Sequence, residues 1–202
     1  MPRRHHLVND KTRGTLGTVP YHHGDLRRTL LDAALVAIAE HGPVAVSLRE
    51  LARRAGVSHA APTHHFRDKT GLLTAVAAEG WTLLADALDA VTDREFSEMG
   101  VAYVVFATTH PAHFAVMRTP GLVHADDPAL VAAQQRAGRS LQTEPDGAAR
   151  DRATALAGWS LVHGLSALLL EGLVAPDPGS DVEALARAVT GRLGRPLPRR
   201  QG

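Results

Sequence analysis

Residues 47–69 read SLRELARRAGVSHAAPTHHFRDK, two short helical patterns joined by a tight turn and capped into a third. Ser47 and Glu50 form an S-x-x-E pattern, in which a serine oxygen and a glutamate each satisfy an orphan amide at a helix start. Leu48, Leu51, Ala52 and Ala55 then fall on one helical face. Gly56 stands where the chain turns out of that helix with positive φ, and Val57 can plug the angle between the two helices. Ser58 is placed to cap a second helix over residues 59–65, unusually short, with the small residues Ala60 and Ala61 at its front. Small side chains there permit close approach to base-pair edges, so the pattern points to DNA reading.

The flanks agree with a helical chain. With 202 residues and 45% hydrophobic content, the protein can bury a sizeable core, as one helical domain or a small one joined to a larger one. Cysteine is absent, which excludes disulfides, thiolate chemistry and the commonest structural zinc frameworks. No uninterrupted apolar run reaches the roughly 18–20 residues of a membrane span, and MPRRHHLVND lacks the apolar stretch of a signal peptide. A cytoplasmic protein without a membrane partner is expected. The net charge of +1 hides an asymmetry: residues 1–70 carry 11 Lys and Arg against 6 Asp and Glu, whereas the remainder carries 11 against 15. The basic third is the one with the helix-turn-helix pattern, as suits a module that neutralises phosphates.

Residues 1–20 hold Arg3, Arg4, Lys11 and Arg13 without a hydrophobic period, and read as a flexible basic arm, either a plain tail or a contact to phosphate or minor groove. Leu31, Ala34, Leu35 and Ile38 mark a first helix over residues 24–41, ended by Gly42-Pro43. Asp68 caps a long fourth helix with Leu72, Leu73, Val76, Leu84, Leu88 and Val91 on its apolar positions. Beyond it, helices are expected over 95–109, 111–117, 127–141 and 148–174, with a polar loop at 144–147. A last helix is opened by a Ser180–Glu183 capping box and continues through Leu193. The fold class is therefore all-α, about nine helices. Residues 21–68 form a three-helix DNA-binding domain, 69–194 a larger helical ligand-binding and dimerisation domain, and 195–202 a tail.

The order and spacing of YHHGDLRRTLLDAALVAIAEHG followed by SLRELARRAGVSHAAPTHHFRDKTGLL resemble the DNA-binding domain of the tetracycline-repressor-like (TetR) family of bacterial transcriptional regulators. GWSLVHGL, with Trp159, His163 and Gly164, resembles a subgroup bearing a Trp-x-x-x-His-Gly signature in the regulatory domain. The resemblance implies a homodimer joined through the last two long helices of each subunit. It also implies a double-stranded, palindromic DNA operator, and a small-molecule effector that releases a repressor from it. Independently, the 148–174 pattern is apolar around most of its circumference, more than one core can use.

By the same resemblance His65 and Lys69 are expected at the DNA backbone. Ser47 offers a hydroxyl to phosphate or serves only as a cap. Ser58, His59, Ala60, Ala61 and His64 are the expected base readers, and Thr63 stands where the family usually carries a tyrosine. Tyr103, Phe106, His110, Phe114, Met117, Trp159 and His163 are the candidate ligand-binding residues, with core packing as the other reading of Trp159. Eight of twelve histidines lie in residues 1–70, but His22-His23 and His64-His65 are adjacent pairs whose side chains diverge by about 100° on a helix, so no metal is expected. No G-x-S-x-G elbow, phosphate-binding glycine loop or metal motif is present, so neither an enzyme nor a cofactor is expected. A regulator that binds DNA without ligand control is the alternative.

Overall fold

Helical periodicity accounts for the regular structure of the chain. The computed structural model describes residues 23–92, 95–142 and 148–192, and among them there are nine α-helices and no strand. They are α1 (His23–His41), α2 (Leu48–Arg54), α3 (Ala61–Phe66), α4 (Lys69–Asp89), α5 (Phe96–Thr109), α6 (Pro111–Met117), α7 (Pro128–Gln142), α8 (Arg152–Leu170) and α9 (Val182–Thr190). The expected arm at 1–20, the loop at 144–147 and the tail at 195–202 lie outside the described residues.

Local chemistry sets the boundaries. Asp68 accepts a hydrogen bond from the Gly71 amide at 2.8 Å, and Asp127 accepts from Ala129 and Leu130 at 3.0 Å, so α4 and α7 begin where a carboxylate can satisfy their first amides. Gly56 at φ +66° closes α2 and Gly172 at φ +69° closes α8. Each is accompanied by a paired 6→1 and 5→2 set of amide bonds: Val57 to Ala52 with Gly56 to Arg53, and Leu173 to Leu168 with Gly172 to Leu169. That stop is why α8 does not reach residue 174, and its start is fixed by Asp151, which accepts from the Thr154 amide. At α9 the cap is Asp181, bonded to the Ala184 amide, and not Ser180. Glu183, the other half of the expected capping box, pairs with Arg187 instead. Val91 lies two residues past the end of α4 and packs partly against the core.

Two cores result. Leu30, Leu31, Ala34 and Ile38 of α1 bury against Leu51 of α2, Phe66 of α3 and Leu72, Leu73 and Val76 of α4, with Ala112, Val116 and Leu130 joining from α6 and α7. Leu84, Ala85 and Leu88 of α4 belong to the second core, with Met99, Val104 and Phe106 of α5, Phe114 of α6 and Val162 and Leu165 of α8. The seam thus falls inside α4 rather than at its start, and Trp81, half-buried at that seam, packs against both. Gly80 lies so near α6 that a Cβ there would meet His113 Cβ at 2.9 Å, which locks the two helices at close distance.

α4 and α8 are each long and apolar enough, by length and composition, to cross a membrane, which the absence of long uninterrupted apolar runs did not lead one to expect. α4 is half-buried in the cores it joins. α8 buries only Gly158, Val162, Leu165 and Ser166, and leaves Ala153, Ala157, Ser160 and Leu168 exposed on its far side. A Cβ at Gly164, on that same side, would meet nothing within 4 Å.

Candidate DNA-reading surface and regulatory cavity

Pro62 and Phe66 bury one side of α3, with the Arg27 guanidinium 5.3 Å from the centre of the Phe66 ring. The opposite side, His59, Ala60, Thr63 and His64, is exposed, together with Ser47 and Ser58 at its edge. Ala61 and His65 sit half-buried on the shoulders, His65 with its ring edge-on to His64 at 5.2 Å. Ser58 does not cap α3 by its side chain; its carbonyl accepts from the Ala61 amide in a turn, and the helix proper opens with the His64-to-Ala60 bond. Pro62 has no amide to offer the Ser58 carbonyl, which delays the helix past residue 59.

The joint between α3 and α4 is tight. Arg67 has φ +66° and ψ −57°, a γ-turn in which the Asp68 amide donates to the Phe66 carbonyl at 2.8 Å. A Cβ at Gly71 would lie 2.0 Å from that same carbonyl oxygen, so only glycine lets α4 begin directly beneath α3. The Lys69 ammonium donates to the Val44 carbonyl, tying the first residue of α4 to the turn before α2 and leaving two of its three donors for other partners.

The expected capping box at Ser47 and Glu50 is not made. Ser47 is extended and makes no side-chain cap bond, and the Glu50 carboxylate is held at 2.6–2.9 Å by Arg53 and Arg54, whose guanidinium groups bring it down to about 2. Ser47 lines a surface concavity of about 420 Å³ with Arg49, Glu50, Arg53 and His59. Arg49 and Arg53, absent from the residues suggested by the sequence, share an exposed face of α2 by their i,i+4 spacing, and Arg53 is paired there with Glu50.

In the second core, the Tyr103 hydroxyl and His163 Nδ1 are 2.9 Å apart. Phe114 packs edge-on to Tyr103 and 5.3 Å from the His163 ring, and Trp159 lies 5.6 Å from it on the other side. Burial pushes Tyr103 up to about 12 and moves His163 below the usual histidine value, Arg118 adding to the latter, so both groups are neutral near pH 7. Beside this cluster opens a cavity of about 370 Å³. Trp81, Tyr103 and Trp159 form its aromatic walls, and Gln134, Gln142 and Arg152 supply its polar groups. Of the seven ligand-site candidates, Tyr103 and Trp159 line it and His163 stands behind Tyr103. Phe114 is buried in the cluster, Phe106 and His110 stack on each other at 5.2 Å away from the cavity, and Met117 faces Gly80. Trp81 was missed; its signal was rarity, since it is one of two tryptophans in the chain.

A polar node joins α1, α4 and α6. Arg28 of α1 grips Glu79 of α4 with two bonds of 2.8 and 2.9 Å, and His113 of α6 lies with Nε2 3.5 Å from the same carboxylate. His113 Nε2 is buried without a hydrogen-bond partner, and burial lowers the His113 pKa despite Glu79, whose charge Arg28 already balances.

Comparison with known proteins places this geometry. Residues 30–76 match the family model described as bacterial regulatory proteins, tetR family, and residues 96–193 match the tetracyclin repressor-like C-terminal domain. The HTH-type transcriptional regulator BetI of Escherichia coli (strain K12 / DH10B) is 47% identical over 62 residues, covering 31% of this chain and 32% of BetI. A solved structure of a protein with unknown function from Rhodococcus sp. RHA1 is 32% identical, with TM-score 0.64, covering 86% of this chain and 96% of that one. AibR, in complex with isovaleryl coenzyme A and operator DNA, shares the fold at 16% identity and TM-score 0.62, over 85% of this chain and 100% of AibR.

Proposed function

The chain belongs to the TetR family, and is thus a DNA-binding transcriptional regulator, and from that premise we propose that it is a homodimeric repressor released from a palindromic operator when a small molecule enters the cavity beside Trp81. The observation that carries the ligand-controlled reading is the position of Trp81. It lines the cavity and packs against both cores, on α4, which starts at the joint with α3 and continues into the second core. A ligand pressing on that ring shifts the seam of α4. The joint at Arg67 and Gly71 is too tight to absorb a shift of α4, so α3 moves with it.

In this reading Ser58, His59 and His64 address base edges, with Ala60 and Ala61 allowing close approach. Ser47, Thr63, His65, Lys69 and Arg49 hold the phosphates. Thr63 keeps a donor but offers less contact area than a tyrosine. The outward face of α8, with α9, meets its copy in a four-helix interface, and two-fold symmetry then sets the recognition helices about 34–36 Å apart, one DNA turn. A change in that separation lowers affinity. The site of action is the cytoplasm, where the chromosome lies.

A gel-shift titration with the DNA upstream of its own gene, repeated against a small-molecule panel, tests the proposal. Binding that a ligand releases is expected; binding that no ligand alters and that Trp81→Leu leaves intact assigns the protein to ligand-independent regulation.

A further inference from the structure

The cavity beside Trp81 has a chemical signature of its own. Both tryptophans of the chain and Tyr103 converge on it, in a protein that is only 4% aromatic. Flat π surfaces of this kind select either an aromatic ligand, by offset or edge-to-face contact, or a quaternary ammonium, by cation–π attraction. Charge decides between the two. Among the described residues lining the cavity there is no Asp or Glu, and the one formally charged side chain is Arg152. The Asp151 carboxylate does not line the cavity and caps α8, accepting from the Thr154 amide and hydroxyl at 2.9 and 3.1 Å, and Asp86 and Asp89 are paired with Arg136. Among the described lining residues a cation meets a guanidinium and no carboxylate, whereas an anion meets a donor with a fork matched to a carboxylate. Gln134 and Gln142 on α7 add amide groups that can bond a hydroxyl or carbonyl substituent. Gly138 keeps the α7 wall open: a Cβ there would meet only the Gln142 amide, at 3.9 Å.

We infer that the ligand is an aromatic carboxylate, its ring held between Trp81, Tyr103 and Trp159 and its anionic group on Arg152. This rests on the cavity being the regulatory site. The ligand stacks on the ring that bridges the two cores, so the part of the molecule that gives affinity is also the part that moves α4.

Calorimetric titration of the full chain with three matched probes tests the inference: 2-naphthoate, 2-naphthalenemethanol and (2-naphthylmethyl)trimethylammonium. The carboxylate is expected to bind about tenfold or more tighter than the alcohol, with the ammonium weakest. Arg152→Gln removes that preference and leaves the affinity for the alcohol. Gly138→Leu fills the cavity and abolishes binding of all three, while replacing a helical glycine by a better helix former, so that its thermal midpoint is unchanged or higher. Equal affinity for the three probes, preference for the ammonium, failure of 2-naphthoate to bind at millimolar concentration, or a carboxylate preference that survives Arg152→Gln each overturns the inference. A gel shift with the same variants separates it from the reading beneath it. If aliphatic acids release the operator in a manner blocked by Gly138→Leu and naphthoate does not bind, the cavity is regulatory and the aromatic assignment falls. If naphthoate binds through Arg152 without releasing the operator, the ligand class stands and ligand control falls.

Discussion

α3 and α8 are opposite solutions to the problem of presenting a surface. α3 has six residues and, since isolated helices of that length are marginal, takes its position from Pro62 and Phe66 underneath and from the turn that joins it to α4. What it and the turn before it show to solvent is small or polar: His59 and Ala60 in the turn, Thr63 and His64 on the helix. α8 has nineteen residues, buries four of them, and shows Leu156, Trp159, Leu168 and Leu170. A surface of the first kind, edged by Arg49, Arg53 and Lys69, suits a polyanion with a readable edge; one of the second kind needs apolar cover. On the proposed reading the first faces DNA, and the second faces a copy of the chain and a ligand.

The most severe way to break the comparison is to remove what lies under α3. Phe66→Ala is expected to cost about 3–5 kcal/mol in urea unfolding and to abolish operator binding. The corresponding insult on the outside of α8, Ala157→Glu with Leu168→Glu, leaves the helix content intact by circular dichroism. It yields a monomer in sedimentation velocity, with operator affinity down about a hundredfold as avidity is lost. A double variant that stays dimeric moves the interface elsewhere. Arg49→Ala with Lys69→Ala is milder: affinity falls alike for operator and random duplex, and the salt slope flattens by about 0.9 for each phosphate contact removed. A loss confined to the operator sequence would instead make these residues base readers.

The smallest expected effect sharpens the comparison through pH. His113 and His163 both have their pKa lowered by burial, so the folded state takes up protons less readily than the unfolded chain. Their contribution is complete above the unfolded value of about 6.5 and is lost as the pH falls from there through the lowered folded values. Thermal midpoints are therefore expected to be flat from pH 7 to 9 and to decline towards pH 5, with a shallower decline in His113→Gln. A midpoint that rises on acidification would show that Glu79, not burial, governs His113.

Much of the fold was legible in residues 47–69. Gly56, the Asp68 cap, the apolar face of α2 and the outward set on α3 follow from local spacing, because each is settled by groups within four residues of one another. The capping boxes were not legible, since Ser47–Glu50 and Ser180–Glu183 fit the pattern and lost to stronger charge-assisted competitors. Arg53 and Arg54 took Glu50, and Asp181 took the capping role expected of Ser180. Of the residues proposed to read DNA, Ser47, Ser58, His59, Ala60, Thr63 and His64 are exposed as spacing suggested, and Ala61 and His65 are half-buried. The cavity was less legible: scarcity of aromatic and adaptable side chains pointed to Phe106, Phe114 and Met117, which packing turned elsewhere, and passed over Trp81.

The sequence by itself determined the helical class, the order of the helices, the helix-turn-helix and the basic charge of the DNA-reading end, all carried by periodicity, composition and short-range caps. Only the tertiary structure decided that the seam between the cores falls inside α4, that Arg28, Glu79 and His113 meet across three helices, and which aromatic rings face a cavity. Periodicity assigns a residue to the buried side of a helix. Whether that side meets a neighbouring side chain or an open space depends on how helices far apart in sequence cross.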